Sequence, residues 1–318
     1  MNNIWLHRYA VFTATCTGLL VFAGGLVTST DSGLSVPDWP LSYGMLMPPM
    51  VGNVRFEHGH RMVATFVGML TIILALWVQK REERPVVRRL GWFALLAVVA
   101  QGLLGGLTVL LLLPTQVSVA HACLGQTFFC LVVSVALLTS PGWRQSASQS
   151  VAAVPGWNLR ALVLVTTVVV FVQLFLGAWM RHSGAGLAIP DFPLAYGKLI
   201  PPFGIVGVPI HFAHRVVGTS VGVLAVLVGV TVWRQHRSVT QFARPAALLV
   251  FLVMVQIVLG GFTIWTGKGV LPTTFHVLNG AIILATSLIL TLRVRVRLQS
   301  GAEAAAGWQS VTPGQVAS

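Results

Sequence analysis

Apolar residues run along this chain in long blocks separated by short polar stretches. A block of about 20 apolar residues spans a bilayer as a helix. Eight blocks are legible, at 9–29, 62–79, 90–113, 117–138, 159–180, 216–233, 246–266 and 274–292. Two of them, 62–79 and 216–233, are short and are expected to extend a turn towards the histidines that precede them. Helices satisfy their own backbone hydrogen bonds, as lipid requires. The pattern predicts an all-α, polytopic membrane protein. The first block follows Arg8 as a signal peptide would, but it is long and has no clear small-residue cleavage site, so a retained helix is expected.

The blocks fall into two sets of four because the chain repeats itself. Residues 33–49 read GLSVPDWPLSYGMLMPP and residues 186–202 read GLAIPDFPLAYGKLIPP, an offset of 153. His60-Arg61 matches His214-Arg215 at offset 154. The segments from Gln101 and Gln256 match at offset 155, as do His121 with His276 and Gly125 with Gly280. An even number of spans per repeat gives both copies the same orientation in the membrane. The expected architecture is two tandem pseudo-symmetric four-helix bundles. They occupy 1–140 and 159–297, with a polar linker at 141–158 and a disordered tail at 298–318. Gly102, Gly105 and Gly106, with Gly260 and Gly261 in the second copy, read as small residues for close helix packing, with room for a flat cofactor as the alternative.

Composition agrees: 55% of the 318 residues are hydrophobic and 8% charged, against roughly 25% charged in a soluble domain. The net charge of +13 would suit nucleic acid, but its distribution does not. Lys80, Arg81, Arg84, Arg88 and Arg89 share one loop, Arg234, Arg237 and Arg244 another, and Arg293, Arg295 and Arg297 follow the last block. With Arg8, Arg144 and Arg160 they mark one side as cytoplasmic, and both termini with it. Arg55, Arg61, Arg181, Lys198, Arg215 and Lys268 lie on the other side. Cys16, Cys123 and Cys130 all fall inside spans and form neither a disulfide framework nor a zinc spacing.

Among nine histidines, His7 and His236 are expected to be solvated at the basic side, and His182 begins the second long loop. His60, His121, His214 and His276 stand apart because they occupy matching repeat positions. Within each copy the pair lies at similar depth, near the outer ends of the second and fourth helices. Two imidazoles facing across a four-helix bundle can hold a haem iron axially. Zinc would need four ligands with cysteine or carboxylate among them, and neither copy offers that. Arg61 and Arg215 follow the first histidine of each pair and suit a haem propionate, or a membrane-interface anchor.

The copies differ at one place. Glu57 stands three residues before His60, whereas His211 stands three before His214. Glu57 is the one carboxylate beside a candidate ligand, able to act as acid or base, to stabilise a developing cation, or to pair with Arg61 or Arg55. The first copy is therefore expected to do chemistry and the second to hold a resident cofactor, with His58 and His211 close to the sites. The loop residues Asp38, Trp39 and Tyr43, repeated as Asp191, Phe192 and Tyr196, lie in proline-rigid segments. They read as a lid over each bundle mouth, or as loops packed on the helix ends.

The run Glu57-His58-Gly59-His60-Arg61, the later His121, the duplicated bundle and the pair His214/His276 resemble the haem A synthase family over roughly residues 9–295. The resemblance implies oxidation of the C8 methyl group of haem O to a formyl group by successive hydroxylations, yielding haem A for terminal oxidases. It implies His60 and His121 flanking the substrate haem O, His214 and His276 ligating a resident haem b, and Glu57 as the catalytic carboxylate. It further implies haem O synthase and terminal oxidase assembly factors as partners, a homo-oligomer among the possible assemblies, and haem sites near the extracytoplasmic face of the cell membrane. The sequence departs from the family in the loops. Ser35 and Ser42 stand where many bacterial members carry a cysteine pair, and Ala188 and Ala195 where some carry a second. Two other readings fit parts of the pattern. A dihaem b-type cytochrome in quinone-linked electron transfer would use the same histidines but leaves Glu57 unexplained. A transporter would place polar groups near the midplane, whereas these lie at one face.

Overall fold

The computed structural model describes residues 3–143, 151–152, 156 and 158–298. Most of the expected linker, and the expected tail beyond Leu298, lie outside the described residues. Among the described residues the chain forms eight long helices: α1 (Ile4–Ser29), α2 (Val54–Arg81), α3 (Pro85–Leu110), α4 (Thr115–Thr139), α5 (Leu159–His182), α6 (Val208–His236), α7 (Thr240–Trp265) and α8 (Val270–Arg297). All eight are long and apolar enough to cross a membrane. A 3₁₀ turn, Ala185–Leu187, lies between α5 and α6.

Local chemistry sets several boundaries. The Asn3 side chain accepts from the Leu6 N–H and caps α1, and Asn158 does the same for α5 through Ala161. Proline stands in the first turn of α3 and of α6, where no intrahelical N–H is needed. Hydroxyls inside the helices turn back onto carbonyls one turn earlier, as Thr17 does to Thr13 at 2.8 Å and Thr71 to Val67 at 2.7 Å.

Three boundaries refine the sequence expectation. Helices α2 and α6 extend towards the histidines as expected, but by about two turns rather than one, beginning at Val54 and Val208, so His60 and His214 lie in the second turn. The polar residues of these first turns find partners in the long loops, which lets the helix continue through them. Conversely, Leu111, Leu112 and Leu113 form a turn rather than the end of α3. Their N–H groups return to Leu107, Val109 and Thr108, and Leu112 and Leu113 take positive φ ahead of Pro114.

Helices α1 to α4 pack in a closed ring, each on the next and α4 back on α1, and α5 to α8 do the same. The two rings meet through α1, α4, α5 and α8. Helix α8 is the most enclosed, with 61% of its apolar window buried against 39% or less for any other. Apolar side chains fill the basic half of each ring, including Leu74, Val78 and Phe128 in the first and Phe242, Leu249 and Leu284 in the second. Phe129 and Val133 of α4 meet Ala281 and Ala285 of α8 at the junction. His236, expected to be solvated, is buried beneath this end with its ring edge-on to Phe242. His7 bonds the Ala136 carbonyl at 3.0 Å.

Polar contacts also tie the rings together. Arg181 of α5 donates to Ser29 Oγ at 2.8 Å, and Thr274 of α8 reaches the same oxygen at 3.0 Å. Gly25 admits them: a Cβ there would lie 3.2 Å from the Thr274 methyl. A larger residue must push α8 from α1, and overpacking costs about 1–3 kcal/mol. Gly25→Leu is expected to lower the melting temperature in detergent by several degrees, while Gly68→Leu, at an open position, leaves it nearly unchanged.

Candidate functional site

The histidine-bearing helices α2 and α4 stand diagonally in the first ring, and α6 and α8 in the second. Neither diagonal pair is among the well-packed neighbours. The space between them, on the loop side, is where the four expected histidines meet. His214 and His276 face each other with ring centroids 6.5 Å apart. Two metal–imidazole bonds of about 2 Å each, with about 1 Å from nitrogen to each ring centre, span roughly 6 Å. The pair is spaced to hold one iron. In the first ring, His60 and His121 occupy the matching positions on the diagonal helices α2 and α4. Among the described residues no cluster of three or more histidine, cysteine or acidic side chains could hold a metal ion. A two-ligand arrangement, as a haem iron uses, is what the donor set offers.

Each ring lies tightly against a glycine. Cβ atoms built on Gly24, Gly105, Gly177 and Gly260 would lie 3.1, 3.1, 2.9 and 3.3 Å from Cε1 of His60, His121, His214 and His276 respectively. In every case the glycine belongs to the helix preceding the histidine. The Nδ1 atoms of all four histidines are buried without a hydrogen-bond partner. These buried imidazoles, each unpartnered at Nδ1 and lying against a glycine, fit a flat iron cofactor. Gly105 and Gly260 thus seat imidazoles rather than a helix. Gly24 and Gly177 were missed by sequence reasoning, although their spacing of 153 carries the repeat.

The loops between α1 and α2, and between α5 and α6, fold alike. Asp38 accepts from the Tyr43 and Gly44 N–H groups at 2.7 and 2.8 Å, and Asp191 from Tyr196 and Gly197 at the same distances. Tyr43 and Gly44 take positive φ, as do Tyr196 and Gly197. The tyrosine hydroxyls donate to the Ser35 and Ala188 carbonyls. Both Trp39-Pro40 and Phe192-Pro193 are cis. Tyr43, Tyr196 and the two aspartates therefore brace the loops from within. Trp39 and Phe192 rest on helix glycines. Trp39 lies on Gly106, where a Cβ would come within 2.6 Å of its ring, and Phe192 lies on Gly261 at 3.1 Å. Each aromatic rests one residue from the glycine that seats a histidine.

Arg61 and Arg215 clamp these loops. Arg61 donates to the carbonyls of Asp38 at 2.7 Å, Leu41 at 2.9 Å and Val36 at 3.2 Å. Arg215 donates to those of Leu194 at 2.7 Å, Asp191 at 2.7 Å and Ile189 at 3.2 Å. Arg61 also pairs with Glu57 at 2.6 Å. Glu57 is 4% exposed, and its other oxygen accepts from the Val36 N–H at 2.8 Å. In the second half His211 Nδ1 meets the Ile189 N–H at 3.2 Å. Glu57 and His211 thus hold the same loop position by different chemistry. His58 bonds Ser42 Oγ at 2.8 Å, while the matching Ala195 and Phe212 form an apolar contact. The asymmetry read at one residue extends over three: Glu57, His58 and Ser42.

Backbone donors from Gly44 first, then Tyr43, hold the Asp38 carboxyl below the ordinary aspartate range. Gly197 and Tyr196 do the same for Asp191. A lowered folded-state pKa stabilises the loop at pH values above the ordinary aspartate range, and this is lost as pH falls through the lowered value. Limited proteolysis of loop 30–53 should therefore accelerate only in acid below that range, and Asp38→Asn should produce the acid behaviour at neutral pH. Gly106→Ala should also open this loop to protease, and by more than Gly261→Ala opens loop 183–207, because the aromatic is nearer.

The family model described as COX15-CtaA, cytochrome oxidase assembly protein, matches residues 7–55 and 52–288. A haem A synthase from Halalkalibacterium halodurans is 30% identical over 293 residues, covering 88% of this chain and 95% of its own. One from Symbiobacterium thermophilum is 33% identical over 250 residues, covering 76% and 80%. One from Alkalihalophilus pseudofirmus is 27% identical over 292 residues, covering 90% and 96%. With its two diagonal histidine pairs and this match over most of its length, the chain belongs to the COX15-CtaA family of cytochrome oxidase assembly proteins.

Proposed function

We propose that this protein is a haem A synthase of the cell membrane. It oxidises the C8 methyl group of haem O to a formyl group by successive hydroxylations, yielding haem A for terminal oxidase assembly. The first four helices, within 1–140, take the substrate haem O between His60 and His121. The last four, within 159–297, hold a resident haem b between His214 and His276. The charge distribution supports cytoplasmic termini, which would put both haem sites near the extracytoplasmic face.

The observation that carries this reading is the exchange of Glu57 for His211 at one and the same loop anchor. A loop anchor alone does not require a carboxylate, since an imidazole serves in the second half. The first half retains an acidic group three residues from a ligand, where lipid surroundings make it costly unless it is paired or used. Glu57 receives donors on both oxygens, from Arg61 and from Val36. That arrangement suits an anion placed to stabilise positive charge developing at a substrate carbon, more than a group releasing a proton. Resident haem b would supply electron transfer. The protein's own part is to fix the imidazoles in their glycine cradles, hold the carboxylate by two donors, and set Trp39 over the mouth of the site.

Pigments extracted after expression with a haem O supply test this. The wild type should yield haem A. Glu57→Ala should lose at least about a hundredfold of it, the scale of removing one transition-state electrostatic partner, with haem b retained. Glu57→His copies the second half's loop anchor and should lose haem A equally while the loop stays protease-resistant. Recovery of haem b alone from both halves of the wild type would favour the dihaem cytochrome.

A further inference from the structure

Two glutamines approach the histidine pairs unequally. Gln101 of α3 donates its Nε2 to the His121 carbonyl at 2.9 Å and places the same nitrogen 3.3 Å from His121 Nε2. Gln173 of α5 places its Nε2 3.2 Å from His214 Nε2. Both have buried Oε1 atoms without a partner. Each needs a glycine opposite: a Cβ on Gly125 would lie 3.1 Å from the Gln101 amide nitrogen, and one on Gly218 3.0 Å from that of Gln173.

The repeat shows that neither contact is a by-product of the fold. Gln256 matches Gln101, but Asn279 donates to its Oε1 at 2.7 Å and its Nε2 donates to the His276 carbonyl at 3.0 Å. Leu124 stands where Asn279 stands, so Gln101 has no such anchor. Leu20 and Ala64 occupy the places of Gln173 and Gly218, so His60 meets no amide from that helix. One imidazole of each pair is met at Nε2 by a glutamine, and it is the fourth-helix ligand in one half and the second-helix ligand in the other.

An amide N–H can donate to an imidazole nitrogen only if that nitrogen is unprotonated and its lone pair free. That lone pair is the one an iron would take, and it serves one partner at a time. We propose that Gln101 and Gln173 are ligand caps: each competes with iron for one imidazole, making His121 and His214 the exchangeable axial ligands and His60 and His276 the fixed ones. This rests on haem binding by both pairs. A released imidazole caught by the amide stays off the iron, which opens one face of the haem on a chosen side. At the first site that face is the His121 side, opposite the ligand whose helix carries Glu57.

The test is carbon monoxide binding to the reduced, haem-loaded full chain, because carbon monoxide enters a bis-histidine haem only when one ligand has left. Losing a competing hydrogen bond of about 1 kcal/mol changes the exchange roughly fivefold. Gln101→Leu and Gln173→Leu should each slow one phase of carbon monoxide binding by about fivefold, with the bis-histidine spectrum kept. Leu124→Asn gives Gln101 the anchor that Gln256 has, and should slow the first-site phase with Gln101 still present. Unchanged or faster binding in all three variants overturns the caps while leaving haem binding intact. A wild-type chain that takes up no haem overturns the caps and the proposed function together.

Discussion

The site depends on a steric fact: an imidazole of α2, α4, α6 or α8 lies where the preceding helix has no side chain. At 2.9–3.3 Å from a would-be Cβ, each histidine ring would be crowded by any side chain there. Protein interiors are close-packed, so such a seat restricts where the ring can sit. It also explains why the four Nδ1 atoms tolerate having no partner. The rings are held by shape, which leaves their remaining chemistry for an iron.

From those seats the rest of the architecture follows. Diagonal helices kept apart on the loop side leave the interior between the histidines, while apolar side chains close the basic half of each ring. The loops then cover the open end. Arg61 and Arg215 draw loop carbonyls onto the helix ends, and Trp39 and Phe192 settle on the glycines next to the histidine seats. Arg61 and Arg215, which the sequence offers as partners for haem propionates or as interface anchors, donate to loop carbonyls in this structure.

Much of this was legible in the sequence. Eight apolar blocks became eight helices, and the repeat placed all four histidines before any coordinates. What the apolar pattern could not place were helix ends where polar residues are satisfied by a distant loop, as with Glu57 and Arg61 in α2. It also took Leu111–Leu113 for helix, since a turn made of leucines leaves no mark in hydropathy. Glycines that seat a ring look identical to glycines that pack helices, and only coordinates separate Gly105 from the open Gly102. His236 read as solvated because its cover, Phe242, comes from the next helix. The difference between the halves was visible at Glu57, and His58 stood beside it, but the Ser42 hydroxyl that His58 bonds and the glutamine contacts left no mark in the sequence.

The proposed division of labour gives the two histidine pairs two haems with different fates. The direct measurement is the reduced-minus-oxidised spectrum and haem content of the purified full chain carrying His60→Ala, His121→Ala, His214→Ala or His276→Ala. Loss of resident haem b in the His214 and His276 variants, with haem b kept and haem A production lost in the His60 and His121 variants, is the result predicted. Equal haem content and equal spectra in all four variants would contradict it.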